Sequence, residues 1–409
     1  MKVLKKIIDH EFVLLICLLA SIINVINPII YNMTFNVLWY ITVILTTMSV
    51  AFSICNKKVY KKDAFISVLY LVSISISTIL SNYDFNLFKI AGLIINAILM
   101  FYVFYLDNSK THENLFVLFI YISFAFTIIS LCLYLFPNIF SQFYVGTKFA
   151  GIYVNPNIGG QIAALSIIIS IYYINKSNYK YFFSCNVIVQ FIYILLCECR
   201  TAWFGLIITI ALYLLLKVKN KLKLNLNKRN KKIAICTIFI LFFSLLINVP
   251  AQISSSFKVE EYTKFEKIVN DMSTSRYSIW KESSALILKN PLFGYGVGSL
   301  NEAAIDMFGE SSIIAERNYM NAHNFIIQIL LDGGIVALLI FTYLLYKVLK
   351  RLILYITINQ DEYINMISYV IILSVCISLL DYGIVDYLSP LSLFFWIGCS
   401  KILHYKNQE

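Results

Sequence analysis

Long apolar runs, broken by short polar connections, dominate this chain. Runs of about twenty residues lie near 12–30, 37–55, 64–80, 88–106, 115–136, 158–174, 181–199, 202–216, 233–249, 324–349, 364–380 and 388–403. That is the length a helix needs to cross ~30 Å of hydrocarbon. Backbone polar groups must be paired inside lipid, so runs this apolar read as helices. The pattern predicts an all-α, polytopic integral membrane protein of about twelve transmembrane helices. One long polar stretch, 250–322, interrupts the series. The chain then divides into residues 1–140 with helices one to five, 141–249 with helices six to nine, the loop 250–322 with an amphipathic helix, and 323–409 with helices ten to twelve.

Composition agrees: 60% of residues are hydrophobic, 13% are charged and the mean hydropathy is +0.77, outside the range of soluble domains. Charge placement orients the spans. With both termini in the cytoplasm, 23 of the 33 basic residues fall on inner segments, and seven of the ten outer ones lie in the loop 250–322. This is the bias of the positive-inside rule, and it makes the long loop extracytoplasmic. The lysine-rich run from Lys217 to Lys232 has no aromatic interleaving and reads as a topology-fixing segment touching anionic lipid. The net charge of +11 therefore calls for membrane lipids and no nucleic acid. The first apolar run continues past Ala20-Ser21 and reads as a retained helix, not a cleaved signal.

The nine cysteines lie in or beside spans and none falls in 250–322, so disulfides are not expected to hold that loop. Cys197 and Cys199 would face different sides of a helix, a poor metal pair. No metal or nucleotide motif occurs, and neither metal nor cofactor is expected.

Lysine is the default cation here, yet three of the five arginines (Arg200, Arg276 and Arg317) fall on the outer side. A guanidinium grips phosphate through two parallel hydrogen bonds, which an ammonium does not do. Arg200 opens a span in Cys199-Arg200-Thr201-Ala202-Trp203, where Glu198 is placed to offset its cost. Arg276 starts a helix that Asn290-Pro291 should stop, with apolar positions 277, 280, 287 and 288 on one face. Trp280, four residues on, would sit at the lipid interface while Arg276 reaches a headgroup. Gly294-Tyr295-Gly296-Val297-Gly298 follows no strand, so it is no dinucleotide fingerprint, and its glycines read as serving backbone shape. His323 is the only one of four histidines that charge placement puts outside; His10, His112 and His404 fall on inner segments. An imidazole at the start of an apolar helix is a candidate general base.

Four blocks, in order, are informative together. They are Gly151-Ile152-Tyr153-Val154-Asn155-Pro156-Asn157; Arg200-Thr201-Ala202-Trp203-Phe204-Gly205; Ser275-Arg276-Tyr277-Ser278-Ile279-Trp280 running into Pro291-Leu292-Phe293-Gly294; and His323-Asn324 through Asp332-Gly333-Gly334. With the twelve-span frame they resemble the O-antigen ligase and Wzy-type polymerase superfamily of bacterial envelope glycan enzymes, from about residue 146 to 349. One departure is Lys148, where members often carry an arginine. The resemblance implies a GT-C-like helical fold in the bacterial cytoplasmic membrane. It implies metal-independent transfer of a glycan from an undecaprenyl-pyrophosphate donor to a glycan or lipid-linked acceptor, and admits a chain-length regulator as a further partner. On this reading His323, Arg200 and Arg276 are catalytic, while Arg317, Lys148, Asn157, Trp203, Trp280 and Asn324 bind substrate. His323 either removes the acceptor proton or binds phosphate.

The motifs are neutral between a polymerase, which extends a lipid-linked repeat, and a ligase, which moves the glycan to lipid A-core or another acceptor. An Ile-, Asn- and Lys-rich composition like that of glycan-cluster polymerases tilts the expectation toward polymerase. A lipid-linked oligosaccharide transporter would also want twelve spans, but no repeat relates the two halves and the candidate residues gather at the outer surface. The Asp332-Gly333-Gly334 break, which a transporter could use, reads as a bend after a short surface helix.

Overall fold

The computed structural model describes residues 10–27, 61–81, 83, 109–146, 148–221, 276–358, 361–386 and 389–404. The runs expected near 37–55, 88–106 and 233–249, and loop residues 250–275, lie outside the described residues. The elements, numbered over the described residues, are α1 (His10–Ile23), α2 (Lys61–Leu80), α3 (Ser109–Tyr134), a hairpin of β1 (Tyr144–Val145) and β2 (Lys148–Phe149), α4 (Pro156–Lys176), α5 (Lys180–Cys197), α6 (Arg200–Lys221), α7 (Arg276–Lys289), α8 (Leu300–Phe308), α9 (Ile313–Glu316), α10 (Phe325–Ile358), α11 (Glu362–Ser378) and α12 (Pro390–His404). Each apolar run expected within the described residues is helical. Helical segments Glu113–Tyr134, Pro156–Lys176, Lys180–Cys197 and Phe325–Ile356 are long and apolar enough to cross a membrane, and shorter apolar helices accompany them. The protein is a helical membrane protein.

Helix α4 is central, packing on α3, α5, α6 and α11. Asn155 starts it: the side chain accepts from the Ile158 N–H at 2.9 Å, and Pro156 occupies the first helical turn, where its missing N–H costs nothing. Gly159 and Gly160 bring neighbours close, since a Cβ at Gly159 would overlap Tyr193 and one at Gly160 would overlap Cys199. Deeper in, polar side chains tie α3, α4 and α5 together. Thr127 donates to Gln190 (2.9 Å), Gln190 to Asn186 (3.1 Å), and Asn186 to Ser166 (2.9 Å) and Ser170 (2.8 Å). Apolar surface gives little drive between helices in lipid, so hydrogen bonds and small-residue contacts set the packing.

The described part of the long loop is a helical cap. Ile279 and Leu286 of α7, Leu300, Ala303 and Ala304 of α8, and Ile314 of α9 form a second hydrophobic cluster, continued by Ile327 and Leu331 of α10. The deepest positions of α7 are thus Ile279, Ser283 and Leu286; of the expected 277, 280, 287 and 288, Trp280 and Ile287 pack partly buried on this cluster and Leu288 is 55% exposed. The cluster demands this register because α8 and α9 cover α7 from the side opposite Leu288. Asn290 ends the helix as expected and donates to the Gly294 carbonyl.

Two glycine motifs lock together. Helix α10 breaks at Gly334 (φ 67°), and the freed backbone is paired by the loop after α7. The Tyr295 N–H donates to the Leu331 carbonyl at 2.6 Å, and the Ile335 N–H to the Pro291 carbonyl at 2.9 Å. Ser77 of α2 adds a bond to the Asp332 carbonyl at 2.7 Å. A Cβ on Gly294 would strike the Leu331 carbonyl, and one on Gly334 the Leu292 carbonyl. The first half of α10 is buried beneath the cap, a correction to the expected surface helix: Phe325, Ile326, Ile329 and Leu331 are all at most 2% exposed.

Gly334→Ala should therefore cost more than the ~1–2 kcal/mol of a left-handed backbone alone. Gly309 (φ 75°) has nothing within 4 Å of a built Cβ and is the control. Thermal melting in detergent should show a clearly larger drop for Gly334→Ala than for Gly309→Ala; equal drops would mean the two glycine motifs do not interlock.

Candidate functional site

His323 is held on a short, strained backbone. Its φ is 49°, in the left-handed region that costs a side chain of this size energy and needs outside support. That support comes from both peptide groups of Ala322. The Ala322 carbonyl accepts from the Trp280 indole N–H at 2.8 Å, and the Ala322 N–H donates to Gln328 Oε1 at 2.9 Å. Gln328 is fixed in turn by donating to Asp332 Oδ1 at 2.8 Å. Asn324 then caps α10, accepting from the Ile326 (2.9 Å) and Ile327 (3.2 Å) N–H groups while donating to the Leu379 carbonyl (2.9 Å). One residue thus starts the helix and ties it to the turn after α11.

That turn carries Asp381, whose Oδ1 lies 3.4 Å from His323 Nδ1. Its other oxygen, Oδ2, accepts from Gln161 Nε2 at 2.8 Å, and the Tyr382 N–H donates to Oδ1 at 2.9 Å. The carboxylate side chain is 6% exposed, the imidazole 22%. Burial pushes the Asp381 carboxyl up, but the hydrogen bond and charge of His323 and the nearby Arg276 guanidinium outweigh it, so its pKa lies below the ordinary 3.8. A carboxylate on Nδ1 fixes the ring's orientation and leaves Nε2 as the proton-accepting edge. Tyr319 and Tyr382 meet the imidazole edge-on, with centroids 5.7 and 6.4 Å away.

The three outer arginines relate to this pair in different ways. Arg276, the first residue of α7, is close enough to act on Asp381. Arg317 bonds Tyr319, whose ring abuts His323. Arg200 follows Cys199, which lies within electrostatic reach of Asp381. Glu198 takes a left-handed backbone (φ 52°) as the C-cap of α5, which turns the chain into α6. Asn157 sits at this junction, its carbonyl accepting from the Cys199 thiol at 3.5 Å.

Other sequence candidates are placed elsewhere or otherwise engaged. Lys148 lies on the hairpin, paired in register with Val145. Trp203 packs edge-on against Phe191 at 5.1 Å. The Trp280 indole N–H donates to the Ala322 carbonyl. Asp381 and Gln161 were missed, because a lone acid between two apolar runs reads as a loop residue and a glutamine inside a span as packing. The available signal was an acid at 381, on the same outer side as His323. Among the described residues, no group of three or more His, Cys, Asp and Glu is arranged to hold a metal ion.

Fold and site define a helical membrane protein with a capped cluster of an imidazole, a buried carboxylate and the nearby Arg276. Residues 185–342 match the family described as O-Antigen ligase, a stretch that contains Arg200, Arg276, Arg317, His323 and Asn324. The ComP-specific O-oligosaccharyltransferase of Acinetobacter baylyi (strain ATCC 33305 / BD413 / ADP1) is 26% identical over 165 residues. That match covers 38% of this chain and spans 27% of the relative's length. Over residues 185–342 the chain is similar to the O-antigen ligase family.

Because the folded Asp381 pKa is depressed, its ionised form favours the folded state. That contribution is fully present above the ordinary carboxylate pKa and is lost as pH falls through the folded value. Asp381→Asn should lower the melting temperature most near neutrality, with the gap to the parent protein narrowing below about pH 4. A gap constant with pH would mean that the carboxylate's charge contributes nothing.

Proposed function

We propose that this chain transfers a glycan from a lipid-pyrophosphate donor to an acceptor hydroxyl at the outer face of the bacterial cytoplasmic membrane. The observation that carries the reading is the His323–Asp381 pair, 3.4 Å apart with the carboxylate buried, beside Arg276. With Nδ1 turned to Asp381, Nε2 of His323 takes the acceptor proton as the hydroxyl oxygen bonds to the anomeric carbon. The bond from that carbon to the pyrophosphate oxygen breaks, and the lipid pyrophosphate leaves with the electron pair. Arg276, Arg200 and Arg317 meet the charge that develops on it. A positioned base contributes roughly 10²–10⁴-fold to such a step. Two substrates held at one membrane surface lower the entropic cost of meeting. Asn157 and the aromatic edges beside His323 bind the glycan, Asn324 acts through its cap on α10, and Lys148 and Trp203 belong to a more distant part of the substrate path.

The acceptor decides between ligase and polymerase. The family match and the name of the relative both support a ligase-type transfer, in which the final acceptor is lipid A-core or another molecule. The polymerase reading, favoured by the Ile-, Asn- and Lys-rich composition, uses the same pyrophosphate site and admits a chain-length regulator.

Deletion of the gene in its native host, with surface and lipid-linked glycans resolved on one gel, separates the two. A ligase leaves long chains on the lipid carrier and none on the surface acceptor. A polymerase leaves acceptors capped with a single repeat. Arg276→Ala on a plasmid should fail to restore the parental pattern, with activity down at least about 100-fold, as for loss of a charge-stabilising group. An unchanged glycan profile in the deletion strain would remove glycan transfer as the function.

A further inference from the structure

We propose that Gln161 is a positioning residue for this chemistry, setting the rotamer of Asp381 so that one carboxylate oxygen faces His323. The inference rests on the glycan-transfer reading above. An aspartate's terminal torsion is broad, so burial alone does not hold the carboxylate plane at the angle that presents an oxygen to the imidazole. Here Gln161 Nε2 donates to Oδ2 at 2.8 Å, leaving Oδ1 for Nδ1 at 3.4 Å. An ionised carboxylate only accepts, so the glutamine must present its N–H₂ to it.

Gln161 is itself precisely seated. It is 6% exposed, in the second turn of α4, whose start is set by the Asn155 cap and Pro156. The amide oxygen lies against the turn that holds Asp381, where a Cβ on Gly383 would come within 3.3 Å of it. Gly160, next to it, admits Cys199 and so brings the start of α6 alongside. The first sequence block thus acts on the site through a helix start that aims Gln161, 220 residues from Asp381 along the chain. Neither Gln161 nor Asp381 falls within the matched stretch 185–342.

The test is a double-mutant cycle on the full chain in nanodiscs, fed lipid-linked glycan extracted from the deletion strain. Gln161→Met keeps the side chain's length and removes its donor. It should lower kcat by about tenfold, the low end of losses for residues that orient an active group, with KM within about twofold. In an Asp381→Asn background the same change should alter kcat less than about twofold, because the group it positions is gone. Gln161→Asn, which keeps an amide but withdraws it by one methylene, should fall with Gln161→Met and guards against a methionine variant that does not fold. Rates are expressed per molecule that melts cooperatively. Wild-type kcat in both Gln161 variants, or an equal loss with and without the Asp381 carboxylate, overturns the proposal. His323→Ala, measured alongside, separates the two claims: full transfer in that variant overturns the transfer reading itself, while an inactive His323→Ala with wild-type Gln161 variants removes only the role of Gln161.

Discussion

A carboxylate taken out of water is costly unless every oxygen is met, and Asp381 organises the segments around it to that need. Its partners come from three distant places: Gln161 in α4, His323 before α10, and the Arg276 charge at the start of α7. Satisfying one buried acid therefore fixes the relative placement of the central helix, the cap and the last helical pair. The same contacts hold an imidazole with one edge committed and the other open. Stability and candidate chemistry share a single cluster.

The cap has a second constraint, the break in α10. A helix interrupted at Gly334 leaves backbone groups without intrahelical partners, and the loop after α7 supplies them through Tyr295 and Pro291. This pairing presses the cap onto the first half of α10, and Trp280 then reaches the Ala322 carbonyl. Gln328 and Asp332 complete the clamp from below. The left-handed backbone at His323 is over-determined from both sides, which is the condition under which such strain persists.

Much of this was legible in the sequence. Apolar length marked the described helices, Asn290-Pro291 the end of α7, and of the residues singled out His323 and Arg276 lie by Asp381. What was not legible depends on contacts between remote segments. The periodicity of α7 named Trp280 and Ile287, which pack, but missed Ile279 and Leu286, because the cap chooses which residues it buries deepest. The helix after His323 looked like a surface element because nothing local announces that α7, α8 and α9 will cover it. Asp381 and Gln161 carry no motif, and their meaning appears only when α4 and the turn after α11 meet. Lys148 pairs with Val145 in the hairpin and Trp203 packs on Phe191, contacts that no local pattern announces.

The central claim is that His323 is a proton acceptor flanked by a pyrophosphate site, not itself a phosphate ligand. A cryo-electron microscopy structure with undecaprenyl pyrophosphate bound tests it most directly. The account predicts pyrophosphate oxygens within about 3 Å of the Arg276 guanidinium, with Arg200 or Arg317 closing the site. His323 Nδ1 stays on Asp381, and Nε2 points to open space beside the phosphate. Pyrophosphate bonded directly to Nε2, or seated away from Arg276, would contradict it.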